Sequence, residues 1–306
     1  MDADQNKTVL VTGGRGFIGR EVTKLLQRAG YAVISLDAAA LPSKAAHDRE
    51  SGQEIACDIR DADQLQRVFE EERISGIVHL AAILPTVAQR EPLRATQINV
   101  GGSIHLLEMA TKFGVRRLVF GSSLSVYGTW AADHVVSEAD RASPEDVYGA
   151  AKLYVERVGE THRDRHGLEF VSLRIGRVVG AGAQSATSAW RSQIFELLGT
   201  DQAVEIAVPY VGTERILLVH VDDVAKMLVA LLRAAHLEHA IYNAPCESMV
   251  VADLKRDVEA LNRNIHVKLG EENVSGNPRL LDSDRFQREF GFQVSSIVER
   301  LKGAAK

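Results

Sequence analysis

A tyrosine and a lysine stand four residues apart in Tyr148-Gly149-Ala150-Ala151-Lys152, a spacing that puts both on one face of a helix. A free phenol titrates near pH ~10, too high for a base at neutral pH, and an ammonium beside it favours the phenolate. That is chemistry for taking a proton from a hydroxyl, and the same lysine can bond a ribose. Alone, the pair reads equally as surface residues of an amphipathic helix. A second cluster, Gly121-Ser122-Ser123-Leu124-Ser125, puts hydroxyls directly after the apolar run Arg117–Phe120. One of them can hydrogen-bond a substrate oxygen and share its proton with Tyr148. A serine-rich turn is the plain alternative.

A third group handles phosphate. Thr12-Gly13-Gly14-Arg15-Gly16-Phe17-Ile18-Gly19 carries glycines at 13, 16 and 19. A pyrophosphate needs backbone N–H groups and a helix N-terminus with no side chain in the way. Glycines at the turn, at the closest approach and at the helix–strand contact supply that access. Asp37 ends the next apolar run, where a carboxylate accepts from the adenosine ribose. It repels a 2′-phosphate, and Ala38-Ala39-Ala40 follows without an arginine, which favours NAD over NADP. Asp58, followed by Ile59, can meet the adenine amino group or serve as an ordinary loop acid.

These residues need a scaffold. Thr8–Thr12 is a short β-branched run that reads as a buried strand, and Ile18, Val22, Leu25, Leu26 and Ala29 mark one face of the helix that follows. Further strands are expected at Ala32–Leu36, Glu54–Cys57, Gly76–Ala81, Arg117–Phe120 and Phe170–Leu173. Helices are expected over Asp61–Glu72, between the fourth and fifth strands, and over Tyr148–Arg165. Strands alternating with helices imply parallel pairing and right-handed crossovers. Beyond Gly176 the pattern loosens: a small-residue loop at Gly180–Ser188, a strand at Ile216–Val221 and a helix at Asp222–Ala235. The expected division is a body of residues 1–175, with 214–245 returning to it, and a smaller lobe of 176–213 and 246–306.

The 306 residues are 45% hydrophobic and 25% charged, ordinary for a globular chain. A net charge of −5 argues against a nucleic-acid partner. Cys57 and Cys246 form no CxxC, so neither a metal site nor a disulfide framework is expected. The N-terminus has no secretory pattern, and the most apolar segments carry His79 and Pro85, or Asp222, Asp223 and Lys226. No membrane span is expected, and the location expected is cytoplasmic.

Together these motifs resemble the extended short-chain dehydrogenase/reductase family, the NAD-dependent epimerase/dehydratase group. The resemblance runs through VTGGRGFIG at Val11–Gly19, HLAA at His79–Ala82, Asn99-Val100-Gly101, GSSLSVYG at Gly121–Gly128, YGAAK at Tyr148–Lys152, LRIGRVVG at Leu173–Gly180 and HVDDVA at His220–Ala225. Pro278–Phe292 also resembles the family's ending. The resemblance implies an α/β fold, a doubly wound parallel Rossmann sheet of order 3-2-1-4-5-6-7 with a smaller C-terminal substrate lobe. It implies Ser123, Tyr148 and Lys152 as the catalytic set, and a cofactor lined by Leu80, Ala81 and Ala82 with Asn99 beside it. It also implies a homodimer formed through helices here spanning Pro92–Phe113 and Tyr148–Arg165.

The implied reaction is hydride transfer to NAD while Tyr148 takes a hydroxyl proton. Leu124 and Ser125 stand where 4,6-dehydratases carry Asp-Glu, which argues against elimination. Nucleotide-sugar members commonly carry an Asn where this chain has Arg177, and an Arg where it has Ile216, with Arg215 one step away. Arg177 can meet a carboxylate or phosphate, or merely pair with a surface acid. Substrate contacts are therefore expected at Ser125, Arg177 and Arg215. The short lobe suits a small polyol, sugar acid or hydroxy acid as well as a nucleotide sugar. Trp130 and Trp190 can line a substrate site or pack the lobe. His79 reads as a satisfied strand histidine, and His220 as opening a helix capped by Asp222. The reading favoured is a sugar or nucleotide-sugar epimerase. The alternatives are a dehydrogenase of a free sugar, sugar acid or hydroxy acid, and a non-catalytic NAD-binding sensor.

Overall fold

The computed structural model describes residues 8–38, 52–183 and 188–305. Seven parallel strands form the main sheet: β1 (Thr8–Thr12), β2 (Ala32–Asp37), β3 (Gln53–Ala56), β4 (Ile74–His79), β5 (Arg117–Ser123), β6 (Glu169–Ile175) and β7 (Ile241–Asn243). Their order is β3-β2-β1-β4-β5-β6-β7, as the family resemblance implies. The strand order reverses between β1 and β4, which opens a crevice at the carboxyl ends of these parallel strands.

Alternate residues of each strand feed two cores. Val9, Val11, Val78, Val119 and Val171 face α1 (Phe17–Arg28) and α5 (Val221–Arg233). Leu10, Ile34, Ile77, Leu118 and Phe120 face α2 (Ala62–Glu71), α3 (Ser103–Lys112) and α4 (Val147–His166). Helices on both faces explain why the strands are apolar throughout.

Several expected bounds shift. β5 runs on through Ser123, so Ser122 and Ser123 belong to the strand. The expected helix Pro92–Phe113 is broken into Pro92–Thr96, a widened π turn at Gln97–Gly102, and α3. Gly102 passes Ile59 so closely that a Cβ there would lie 2.5 Å from Cγ1. π turns recur at functional positions, and this one carries Asn99.

The strand Arg215–His220 does not join the main sheet. It lies between Arg177–Val179, parallel, and Glu247–Val250, antiparallel. From Val221 on, the chain does return: α5 packs on α1, and β7 pairs with β6. Val204–Tyr210 pairs with Ile265–Glu272 to complete the lobe's strands, over a core that includes Ile194, Phe195, Ile206, Ile216 and Leu254. Residues 184–187 of the Gly180–Ser188 loop, Ala39, Ala40 and the N-terminal residues 1–7 lie outside the described residues. Among the described residues, no helix is long and apolar enough to cross a membrane, and no group of three metal-ligating side chains converges.

Candidate active site

The glycine loop is built as the spacing predicts. Gly13 has φ +67°, and a Cβ on it would sit 2.8 Å from the Ala81 nitrogen. A Cβ on Gly19 would lie 2.1 Å from the Gly13 carbonyl oxygen. Gly14 proves as constrained, against Ser35, although the motif leaves that position open. Gly16 caps α1 with no side-chain hydrogen bond, so the first-turn N–H groups at Phe17, Ile18 and Gly19 are left for an anion. Such a cradle fits a dinucleotide pyrophosphate.

Behind the loop runs a proton-ordered chain. Ser103 Oγ donates to the Asn99 carbonyl at 2.7 Å, so it accepts from His79 Nε2 at 2.8 Å. His79 Nδ1 is then the acceptor for the Thr12 hydroxyl at 2.6 Å. That leaves Thr12 Oγ1 free to accept from the Leu80 and Ala81 N–H groups at 3.2 and 3.3 Å. Burial and the Lys152 charge hold His79 down to about 3, so the ring stays neutral and the tautomer fixed. His79 is thus a satisfied core histidine, and its bonds set the backbone that faces the cofactor. Asn99 continues the chain: Ile83 N–H donates to its Oδ1 at 2.7 Å, and its Nδ2 donates to the Ile83 carbonyl at 2.9 Å. The asparagine expected beside the cofactor therefore holds the loop that follows Leu80, Ala81 and Ala82.

Asp37 sits at the end of β2, half-buried, with no carboxylate partner among the described residues. Asp58 differs: Arg60 Nε and Nη2 donate to its carboxylate, the shortest contact 2.6 Å, and this ion pair lowers its pKa. Both oxygens are engaged, so the adenine contact expected of Asp58 competes with its own loop. Ile59 is buried against Gly102.

Ser123, Tyr148 and Lys152 converge from β5 and α4. The Asp146 carboxylate accepts from Gly149 N–H at 2.6 Å and fixes the helix start. A Cβ on Gly149 would meet the Ser125 carbonyl oxygen at 2.4 Å, so the helix seats directly on the serine turn. Ser123 Oγ donates to Ser125 Oγ and accepts from Ser125 N–H, both at 3.1 Å. Lys152 Nζ donates to the Gly121 carbonyl at 2.7 Å and lies 4.5 Å from the Phe120 ring centre and 5.5 Å from that of Tyr148.

The electrostatics differ from the simple expectation. Burial pushes the Tyr148 phenol up, and the Asp146 carboxylate adds to this. Lys152, only 3% exposed, is itself held down to about 7 by burial, against the pull of Glu156. Held down to about 7, Lys152 is only partly charged at neutral pH and cannot act as a full ammonium beside the phenol. One turn further on, Glu156 is committed to Arg174 at 2.7 Å.

The remaining expected residues separate. Arg177 is buried and donates from Nε to the Tyr210 hydroxyl at 3.2 Å. Arg215 is not beside it: Leu218 lies opposite Arg177, and Arg215 Nη1 donates to the Ser248 carbonyl at 3.1 Å. Trp190 is lobe core, and Trp130 stacks on His134 with ring centres 4.5 Å apart. At α5 the cap is His220 itself, whose Nδ1 accepts from Asp222 N–H at 3.2 Å, while Asp222 pairs with Arg300.

The model of the NAD dependent epimerase/dehydratase family matches residues 9–244. This chain belongs to that family. It is an enzyme, and NAD is its cofactor. It is 38% identical over 176 residues to UDP-glucose 4-epimerase of Lacticaseibacillus casei, covering 57% of this chain and 52% of that one. The chain thus spans about half the length of the curated epimerases it matches. It is 26% identical over 262 residues to mitochondrial L-threonine 3-dehydrogenase of Bos taurus, covering 84% and 69%. Among solved structures, UDP-glucose 4-epimerase of Thermotoga maritima with UDP-glucose is similar over 97% of both chains, with a TM-score of 0.84 and 25% identity.

Proposed function

We propose that this enzyme interconverts epimers of a nucleotide-linked sugar by oxidising and re-reducing one hydroxyl-bearing carbon. The observation that carries the reading is the seating of α4 on the serine turn, which gathers Ser123, Tyr148 and Lys152 at one edge of the crevice. Bound NAD supplies the hydride acceptor and donor. The glycine loop and the α1 N-terminus hold its pyrophosphate, Asp37 its adenosine ribose, and Lys152 its second ribose. Tyr148 takes the proton from the substrate hydroxyl and returns it after the sugar has turned. Ser123 holds the same oxygen. Because Tyr148 starts as a phenol, cofactor charge and the Lys152 ammonium must together favour its deprotonation at the moment of transfer.

Support for the sugar nucleotide comes from the epimerase relatives and from the Thermotoga structure. That protein, named with UDP-glucose, matches this chain end to end, so a lobe of this size does not weigh against such a substrate. A dehydrogenase reading keeps support of its own. The threonine dehydrogenase from cattle aligns with more of this chain than the Lacticaseibacillus epimerase does, and Arg177 and Ile216 depart from the nucleotide-sugar pattern. Incubation with UDP-galactose and, separately, with L-threonine and NAD decides between them. Conversion to UDP-glucose without net NADH is expected; NADH formed from threonine contradicts the reading.

We further propose a homodimer through the helical segment 92–113 and α4, on which Leu93 and Tyr154 stand 72% and 54% exposed. Sedimentation at two protein concentrations tests this. Cys57 and Cys246 are both free thiols, which supports placing the enzyme in a reducing compartment such as the cytoplasm.

A further inference from the structure

Two lysine–glutamate pairs in this chain share one spacing and one order, and only one of them meets. On the helix Val251–Leu261, Lys255 and Glu259 stand four residues apart and bond at 2.7 Å. On α4, Lys152 and Glu156 stand four residues apart in the same order, yet no hydrogen bond or ion pair joins them. The spacing brings both side chains to one helix face, where opposite charges attract. Burial strengthens that attraction, and here Lys152 and Glu156 are both buried. Something must hold this pair apart.

Arg174, on β6, does so. It closes a fork on Glu156, Nε donating to Oε1 at 3.0 Å and Nη2 to Oε2 at 2.7 Å. The Ser172 hydroxyl also donates to Oε1, at 3.0 Å. Both carboxylate oxygens are thus spent on β6. The fork is itself fixed. Its guanidinium carbon lies 4.7 Å from the Tyr127 ring centre, and the Tyr127 hydroxyl donates to Asn243 Oδ1 on β7 at 2.8 Å. Arg174 keeps this pose although its Nη1 is buried with no hydrogen-bond partner. Lys152 Nζ is left to the Gly121 carbonyl, which leaves two of its three N–H donors unspent. The titratable groups around Lys152 are Tyr148 and Glu156 on its own helix and His79 on β4, which stays neutral. From its seat on Arg174, Glu156 helps Lys152 keep its proton without touching it.

We propose that Arg174 is a positioning residue: by holding both oxygens of Glu156 it keeps that carboxylate from capturing Lys152, which so remains available to the cofactor ribose and to Tyr148. This rests on the reading of Lys152 as the ribose contact and Tyr148 as the base. The fork matters as well as the charge. A lysine at 174 would meet one oxygen as a point charge and free the other.

Titration with NAD across the pH range in which Lys152 loses its proton tests this without any substrate. In the wild type, NAD affinity should step down as pH rises through about 7. Arg174→Met frees Glu156 to pair with Lys152. The step should then move up by about one pH unit or more, and affinity on its acid side should fall about tenfold. Adding Glu156→Met removes the competing carboxylate as well, and an apolar replacement of a whole buried pair is tolerated. In that double variant the step should fall below the wild-type position, and affinity on its acid side should return to within about threefold of the wild type. An arginine that serves only the fold would lower affinity at every pH with the step in place, and the double variant would bind no better than the single one; either result overturns the proposal. If Arg174→Met does not fold, Arg174→Lys should move the step the same way by less, and an unmoved step there overturns it too. The epimerase reading is decided separately, by turnover. A chain that oxidises threonine would show the same NAD profile, and an unmoved step would leave the epimerase reading intact.

Discussion

The two walls of the crevice are built on opposite terms. On the cofactor wall, Asn99, Ser103, His79 and Thr12 pass hydrogen bonds in one direction until each is satisfied, and the result is a backbone held still. On the lobe wall, Arg177 Nε donates to the Tyr210 hydroxyl, and the Arg191 Nε is buried without a hydrogen-bond partner. The closed wall suits a cofactor held at the crevice in one pose. The contrast is between a satisfied hydrogen-bond network in the body and an unsatisfied one in the lobe.

The account can be broken at each wall and at the residues between them. Between them stands Tyr148. Tyr148→Phe should lower turnover by about 10²–10⁴-fold while NAD affinity stays within about threefold, since the phenol moves a proton and holds little else. Steady-state assay beside NAD titration checks this, and robust residual turnover would remove Tyr148 as the base. On the cofactor wall, Asp37→Ala should weaken NAD by about 10–100-fold and NADP far less. Equal losses for both nucleotides would end the ribose assignment.

His79→Phe keeps a ring in place but strands Thr12 and Ser103. A stability loss of about 1–3 kcal/mol is expected, with weaker NAD binding and an unchanged UDP affinity. Denaturant melts and the two titrations separate these effects. If UDP affinity falls with NAD affinity, the walls are not independent. The smallest effect is a pH slope. Burial holds the Lys152 ammonium down to about 7 in the folded chain, against about 10.4 for a free lysine, so the unfolded chain holds the extra proton between those values. Stability should therefore rise with pH across that window and carry the full penalty below it. Lys152→Met should flatten the slope and melt about 2–4 °C above the wild type at pH 6, while turnover is lost. A wild-type melting curve flat from pH 7 to 10 would show that Lys152 keeps its ordinary value.

Much of the cofactor wall was legible because its signals are local. Gly13, Gly16 and Gly19 sit within one turn and one helix start, and Asp37 ends the adjoining strand. The doubly wound sheet followed from strands alternating with helices. What escaped depends on register and on distant packing. Thr12 meets His79 only because β1 and β4 align them, 67 residues apart. The helix Trp190–Glu196 is tied to the end of the Arg177–Val179 strand, through Gly180 N–H to the Arg191 carbonyl, only once the lobe folds. Arg215 reads as a substrate contact from its place one residue before Ile216, but in the structure its Nη1 donates to the Ser248 carbonyl. The direction of the Tyr148 shift was missed for a similar reason. Spacing places a lysine near a phenol but does not tell how much water either has lost.

The most direct test of the whole account is the nucleotide released when the purified enzyme is denatured, quantified per subunit. An epimerase closes its redox cycle on one bound cofactor, so close to one NAD per subunit is predicted. An enzyme that arrives without nucleotide, takes up added NAD and releases NADH with a hydroxy acid or amino acid would contradict it.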